Sequence, residues 1–325
     1  MTQAVFVRPA PFPLLALFTL IVLGCGPTFD PVARLTKLRV LALRAEPINP
    51  QLGELVTLEP LIYAPPEMAG QPFTYSWSWC PYLGSANDGY ACPLDDASLH
   101  AMGREVGVSE IPSLALGTDG TATFRNPFPS TVLAALCDEG FEAIPSECDG
   151  GFPIRIKFSV AVGEARQTAT TLIRLPTAAG VPPNTNPAFD AAGPPLTALV
   201  DGVEQPIDDQ AAVSAPRLKE TKLRAHVADL ESETYVGRDE DGAPASLREG
   251  LTLSWYVETG DVAADAFHTG YFPGTTQIEQ FLSNSWTPEQ KADYPRDQAR
   301  IIVVLRDNRG GVAWTSGTVA LEPTP

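Results

Sequence analysis

The chain has 325 residues, a formal net charge of −17, 32 prolines and 26 glycines. The acidic excess repels phosphate backbones, so nucleic acid is not an expected partner, and anionic lipid surfaces are disfavoured for the same reason. About 300 residues beyond an N-terminal segment suit two domains, and the Pro and Gly content punctuates short strands and disfavours long helices.

In chain order, Arg8 is the only charge among the first 26 residues, an apolar run covers residues 14–23, and Gly24-Cys25-Gly26 comes next. That apolar run is too short to cross a bilayer and reads as an export signal. Its Val22-Leu23-Gly24-Cys25 end resembles the lipobox of bacterial lipoproteins. The resemblance implies a signal peptide at 1–24, a lipid on Cys25 and an N-terminal tether over 25–34. In enteric-type sorting, Gly26 in place of Asp points to the outer membrane.

Strands dominate the chain beyond residue 34. Residues 73–80 (FTYSWSWC), 154–162 (IRIKFSVAV) and 251–257 (LTLSWYV) alternate, placing one face of each on a core. Residues 300–306 (RIIVVLR) are more continuously apolar, which predicts cover on both faces. Gly163-Glu164 suits a tight hairpin, residues 307–311 a longer one, and residues 118–121 a third. Only residues 130–136 read as helical, with Ser130 as N-cap after Pro129. Cys80, Cys92, Cys137 and Cys148 allow three pairings in an exported chain. Cys80 with Cys92 and Cys137 with Cys148 is favoured, because each pair closes a short polar loop.

The two halves share a pattern of a leading strand, a strand carrying Ser-Trp (Ser76-Trp77, Ser254-Trp255) and a closing hairpin. Short strands with a Trp on the third and a terminal hairpin predict an all-β chain of two Ig-like β-sandwich domains in tandem. The expected boundaries are 35–176 for domain 1, a Pro-rich linker at 177–186 and 187–325 for domain 2. Domain 1 carries a long insertion at 81–151, stapled by the disulfides. Residues 38–47, 75–80, 184–187, 284–288 and 306–314 are similar to uncharacterised surface lipoproteins of myxobacteria, and resemble PKD-like and cadherin-like Ig modules of bacterial surfaces. Those motifs are structural, and the resemblance implies no catalytic residues.

Candidate chemistry is thin. His226 is expected on the outer face of a strand with Arg224. Asp95, Asp96, Ser98 and His100 lie close in sequence, but no nucleophile elbow accompanies them. Asp239, Glu240 and Asp241 resemble the start of a calcium loop without its later ligands, so calcium is the one cofactor kept as a candidate. Trp77, Trp79, Trp286 and Trp314 are expected in the cores. Tyr82 and Tyr90 are the candidate contact residues of the first disulfide loop. The expected function is non-catalytic binding or scaffolding by a lipid-anchored envelope protein, membrane-held through the lipid, with an envelope protein or surface glycan as partner. A calcium-dependent or carbohydrate-binding adhesion module is the alternative, and an envelope hydrolase a remoter one.

Overall fold

Side-chain alternation builds the first sandwich. Along β6 (Phe152–Val162), Ile154, Ile156, Phe158, Val160 and Val162 are buried while the residues between them are half-exposed. This computed structural model describes residues 31–81, 86–138, 148, 150–178, 184–210, 213–228, 230, 233–238, 243–263, 268–272, 274 and 277–323. The expected signal peptide and lipidated Cys25 lie outside them.

The first module sets β1 (Arg39–Glu46), β2 (Leu55–Tyr63) and β5 (Ala122–Arg125) in one sheet, ordered β1-β2-β5. The facing sheet is ordered β4-β3-β6-β7, from β3 (Phe73–Cys80), β4 (Ala115–Gly117), β6 and β7 (Ala165–Leu175). That is an Ig-like strand order. Trp77 and Trp79 are buried between the sheets, tilted on Phe158 and Phe124 at centroid distances of 4.3 and 5.2 Å. Their indole N–H groups donate to the carbonyls of Asp119 (3.0 Å) and Ser113 (2.9 Å), so neither is buried unpaired. The Gly163-Glu164 hairpin forms as expected, with Val162 opposite Ala165 and Gly163 at φ +56°.

The second module has β8 (Leu196–Val200), β9 (Val203–Pro206), β10 (Ser214–Pro216), β11 (Thr221–Ala225), β12 (Thr234–Arg238) and β13 (Pro244–Arg248). They are followed by β14 (Leu251–Val257), β15 (Asp261–Val262), β16 (His268–Tyr271), β17 (Ser283–Thr287), β18 (Gln298–Asp307) and β19 (Val312–Glu322). The sheets run β10-β19-β18-β14-β16 and β15-β17-β11-β8-β9, with β10 parallel to β19, and β12–β13 stands apart as a hairpin. Trp255 and Trp286 are fully buried in this core, and Trp286 donates to the Thr259 carbonyl at 2.7 Å.

Several expectations change. The segment 81–151 is not one insertion: β4 and β5 within it pair with β3 and β2, and Phe124 packs in the core. The turn at 118–121 joins strands of different sheets, so it is not a hairpin. A second helix, α1 (Asp96–Glu105), precedes α2 (Ser130–Asp138), and a short α3 (Ile278–Leu282) lies in module two. The tether does not end free at residue 34. Ala33 and Leu35 are buried, and they bracket Val257 with backbone bonds of 2.9 and 2.8 Å, adding a parallel bridge to the end of β14.

Val32–Pro325 is one compact unit, because the modules lie side by side. Along β18, Ile301, Val303 and Leu305 face the second core, while Ile302 and Val304 face module one. There they meet Leu41, Leu61 and Tyr63 in a separate apolar layer that includes Tyr256 and Val312. Trp314 belongs to this layer and not to the second core, with the Arg44 guanidinium 4.7 Å from its ring centroid. At one end of the layer Glu258 accepts hydrogen bonds from Tyr63 Oη (3.0 Å) and Tyr294 Oη (3.2 Å), and Arg296 pairs with Glu67 across the modules. Burial, with Glu258 adding to it, raises both phenols, Tyr294 to about 12.

At the other end the expected linker, described at 177–178 and 184–186, is part of the junction. The backbone N–H of Asn184 donates to Asn49 Oδ1 (2.6 Å), and its side chain donates to Asp307 Oδ2 (3.1 Å). Asn186 donates to the Ala45 carbonyl (2.8 Å) and accepts from the Val312 N–H (2.8 Å). The β18–β19 turn fits because Gly311 has no side chain: a Cβ there would lie 2.1 Å from Asp307 Oδ2 and 3.0 Å from Pro187 Cδ. That carboxylate is held by the N–H groups of Gly311 and Arg309 and by Asn184, so moving it breaks bonds. Gly311→Ala is therefore expected to cost about 1–3 kcal/mol, measured as a lower urea midpoint. Gly193→Ala, with nothing within 4 Å of its Cβ, is the unaffected control.

Candidate contact surface

β3 delivers Cys80 to the end of module one that also holds the β1–β2 loop, the start of β6 and the exit from β7. Cys80 bonds Cys92 and Cys137 bonds Cys148, the pairing favoured from the sequence. Cys80 is the last residue of β3 and Cys137 lies in α2, so each bridge ties a regular element to the segment that follows it. Inside the first bridge Tyr90 takes a left-handed backbone (φ +56°) and is half-buried, and Lys157 donates to the Gly89 carbonyl at 2.6 Å. Tyr82, the other candidate contact residue, lies outside the described residues.

α1 starts because Asp95 caps it, accepting from the Ser98 N–H at 2.7 Å. Asp96 accepts from Ser113 Oγ (2.9 Å) and the Leu114 N–H (2.7 Å), which ties the helix to the strand after it. Hydrogen bonding holds both carboxyls below the usual range, from Ser98 for Asp95 and from Leu114 and Ser113 for Asp96. The Asp-Ser-His grouping is thus a helix cap, with its aspartates engaged by backbone N–H groups.

The inner face of α1 is Leu99 and Gly103. A Cβ at Gly103 would lie 2.1 Å from Ile111 Cδ1 and 2.9 Å from the Val108 carbonyl, so glycine lets the helix close onto the segment after it. α2 presents Val132, Leu133 and Leu136 opposite. An apolar cleft of about 70 Å³ remains between the two helices, floored by Phe152 and Ile154. Met102 and Val106 stand at its rim, 41% and 45% exposed. Among the described residues no charged side chain lines it, so it can take an apolar side chain but offers neither nucleophile nor base.

The histidines do not gather. His226 is half-buried, and its Nε2 is 3.0 Å from Thr197 Oγ1 and 3.5 Å from Glu204; it is less solvated than expected. His268 Nδ1 lies 2.8 Å from Ser254 Oγ, a pair that residues 14 apart in the chain do not advertise. Ser254 is fully buried and also accepts from Arg306 Nη1 (2.9 Å), so its hydroxyl is a structural link beneath the sheet face. Burial first, then Arg306, lowers the His268 pKa. Asp239, Glu240 and Asp241 fall on the connection between β12 and β13, outside the described residues. Among the described residues no group of three His, Cys, Asp or Glu is placed to hold a metal. No helix among them is long and apolar enough to cross a membrane.

No protein-family model matches the chain, and no curated protein matches it. Similar solved structures include murine CEACAM1b, at 10% identity over 88% of this chain and 100% of that chain, TM-score 0.21. The eight N-terminal Ig domains of Down Syndrome Cell Adhesion Molecule match at 10% identity over 88% of this chain and 25% of that chain, TM-score 0.20. Human protocadherin-24 EC1-2 matches at 8% identity over 88% and 100%, TM-score 0.18. The Ig-like assignment rests on the strand order and pairing of the two sandwiches themselves.

Proposed function

We propose that this chain is a lipid-anchored protein of a Gram-negative outer membrane that binds or scaffolds, without catalysing, and that the stapled helical pair is its contact end. The observation that carries the reading is the placement of two ends. Val32–Leu35 meets the molecule beside Val257 and Arg39, at the end of module one where β1 starts and β2 finishes. The disulfide-bound helices sit where β3 finishes and β6 starts, the opposite end of the same sandwich. At about 3.3 Å per residue along strands of this length, the two are about 30 Å apart. An anchor on Cys25 would hold the near end, and the helices would face away from the membrane. The disulfides support an oxidising compartment.

Metabolic labelling with a clickable palmitate tests the anchor. The full chain is expected to label and Cys25→Ser to remain unlabelled; an unlabelled wild type removes the anchor from the proposal. Crosslinking in intact envelopes tests the contact end. One stoichiometric adduct is expected, lost with Met102→Glu plus Val106→Glu; an adduct that survives both changes places contact elsewhere.

A further inference from the structure

At the junction of the linker, the β12–β13 hairpin and the β18–β19 turn, three carboxylates gather around Arg309, two on its guanidinium and one on its backbone N–H. Arg309 Nη1 lies 2.8 Å from Glu249 and 3.3 Å from Glu233, and its backbone N–H donates to Asp307 (2.8 Å). The guanidinium also covers the Tyr235 ring, 4.9 Å from its centroid. Glu249 is 4% exposed and Asp307 8%. Asn184 Oδ1, also buried, accepts no hydrogen bond from the described residues. The other polar and charged groups facing this point come from each neighbouring element. Thr185 from the linker donates to Glu233, Asn308 from the turn donates to Tyr235 Oη (3.2 Å), and Glu46 of β1 accepts from Asn186. Arg174 of β7 lines the same small cleft as Arg309 and Tyr235.

We propose that this junction is a proton-operated clamp: uptake of a proton by Glu249 tightens the hold of the β12–β13 hairpin and the linker on the turn, and its release loosens them. The geometry requires a direction. Among the described residues, three negative charges, two of them buried, face one contacting cation, and this excess means that the docked arrangement gains when one carboxylate is neutral. Consistently, burial first and Asp307 second push Glu249 up to about 7, against the pull of Arg309. Burial likewise raises Asp307, against the N–H groups of Gly311 and Arg309. Once loosened, Glu249 titrates at its ordinary 4.5. Between 4.5 and 7 the docked state holds a proton that the loosened state has released. The extra hold is therefore complete below 4.5 and is lost as pH rises through 7.

Hydrogen exchange of the full chain at pH 5.5 and 8, corrected for intrinsic rates, tests this. Peptides over 184–187, 244–250 and 307–312 are expected to be protected on the order of tenfold more at pH 5.5. Peptides of β6 should show no such change. Glu249→Gln keeps the acceptor for Arg309 and should bring the pH difference below about twofold. Glu233→Gln, which removes a neighbouring charge without touching Glu249, should move the transition to lower pH. A wild type with equal protection at both pH values overturns the clamp. A pH difference that persists in Glu249→Gln also overturns it, and if that variant does not fold, an unmoved transition in Glu233→Gln does the same.

Discussion

Val304→Asp is expected to part the two modules while each stays folded. Val304 is fully buried, in the apolar layer between the modules and not in the second core. A carboxylate there has no partner, and burying it costs about 3–5 kcal/mol. The chain has an escape that a core site lacks: separating the sheets returns the carboxylate to water. The observed loss is then capped by the free energy of the inter-module layer, and the conformational outcome is opening. Small-angle scattering should show a larger radius of gyration with unchanged far-ultraviolet circular dichroism. Val303→Asp, one residue away but facing the second core, has no such escape and should unfold that module. Equal scattering for wild type and Val304→Asp would show that the layer does not hold the modules together.

Removing the Cys80–Cys92 bridge is expected to lower stability by about 3 kcal/mol, the loop-closure entropy regained by the unfolded chain over a span of 12 residues. Cys80→Ala with Cys92→Ala isolates this term, because Ala fits the buried site at Cys80. The effect should be uneven. Asp95 still caps α1 and Leu99 still packs in the core, so the helix survives, but exchange over 86–105 should quicken first. A midpoint within error of wild type would mean that the cap and the packing of Leu99, Val108 and Ile111 suffice without the staple.

The sandwich strands were legible because their alternation is a direct imprint of one buried face, as in 154–162. The inter-module layer was half legible. The continuous run in 300–306 does signal two buried faces, and β18 has them. Its mate was missed although Leu41, Ala42 and Leu43 are buried in succession in β1, the same signal over a shorter run. Sequence marks a face as covered without naming what covers it. Trp314 was misplaced for that reason, since a cation over its ring from β1 leaves no trace near it in the chain. α1 escaped because Asp95 and Ser98 were weighed only as a catalytic grouping, and set aside as one, whereas Asp95 three residues before an N–H at a helix start is a capping signal. β4 and β5, of three and four residues, are too short for a period to show, so the segment around them read as one insertion. The carboxylate junction was invisible because Glu233, Glu249 and Asp307 come from three separate stretches.

The opposed ends of module one also determine how the molecule carries force. Tension applied between Val32 and the stapled helices runs along the strands, drawing β1 one way and its antiparallel neighbour β2 the other. The bonds of that ladder lie across the pull and share it, so they must yield together instead of peeling singly from one end. Before β1 is loaded at all, Ala33 and Leu35 must shear from Val257 of the second module. A tug at the N-terminal side is therefore met first by the second sandwich, and reaches the first only after those two bonds have yielded.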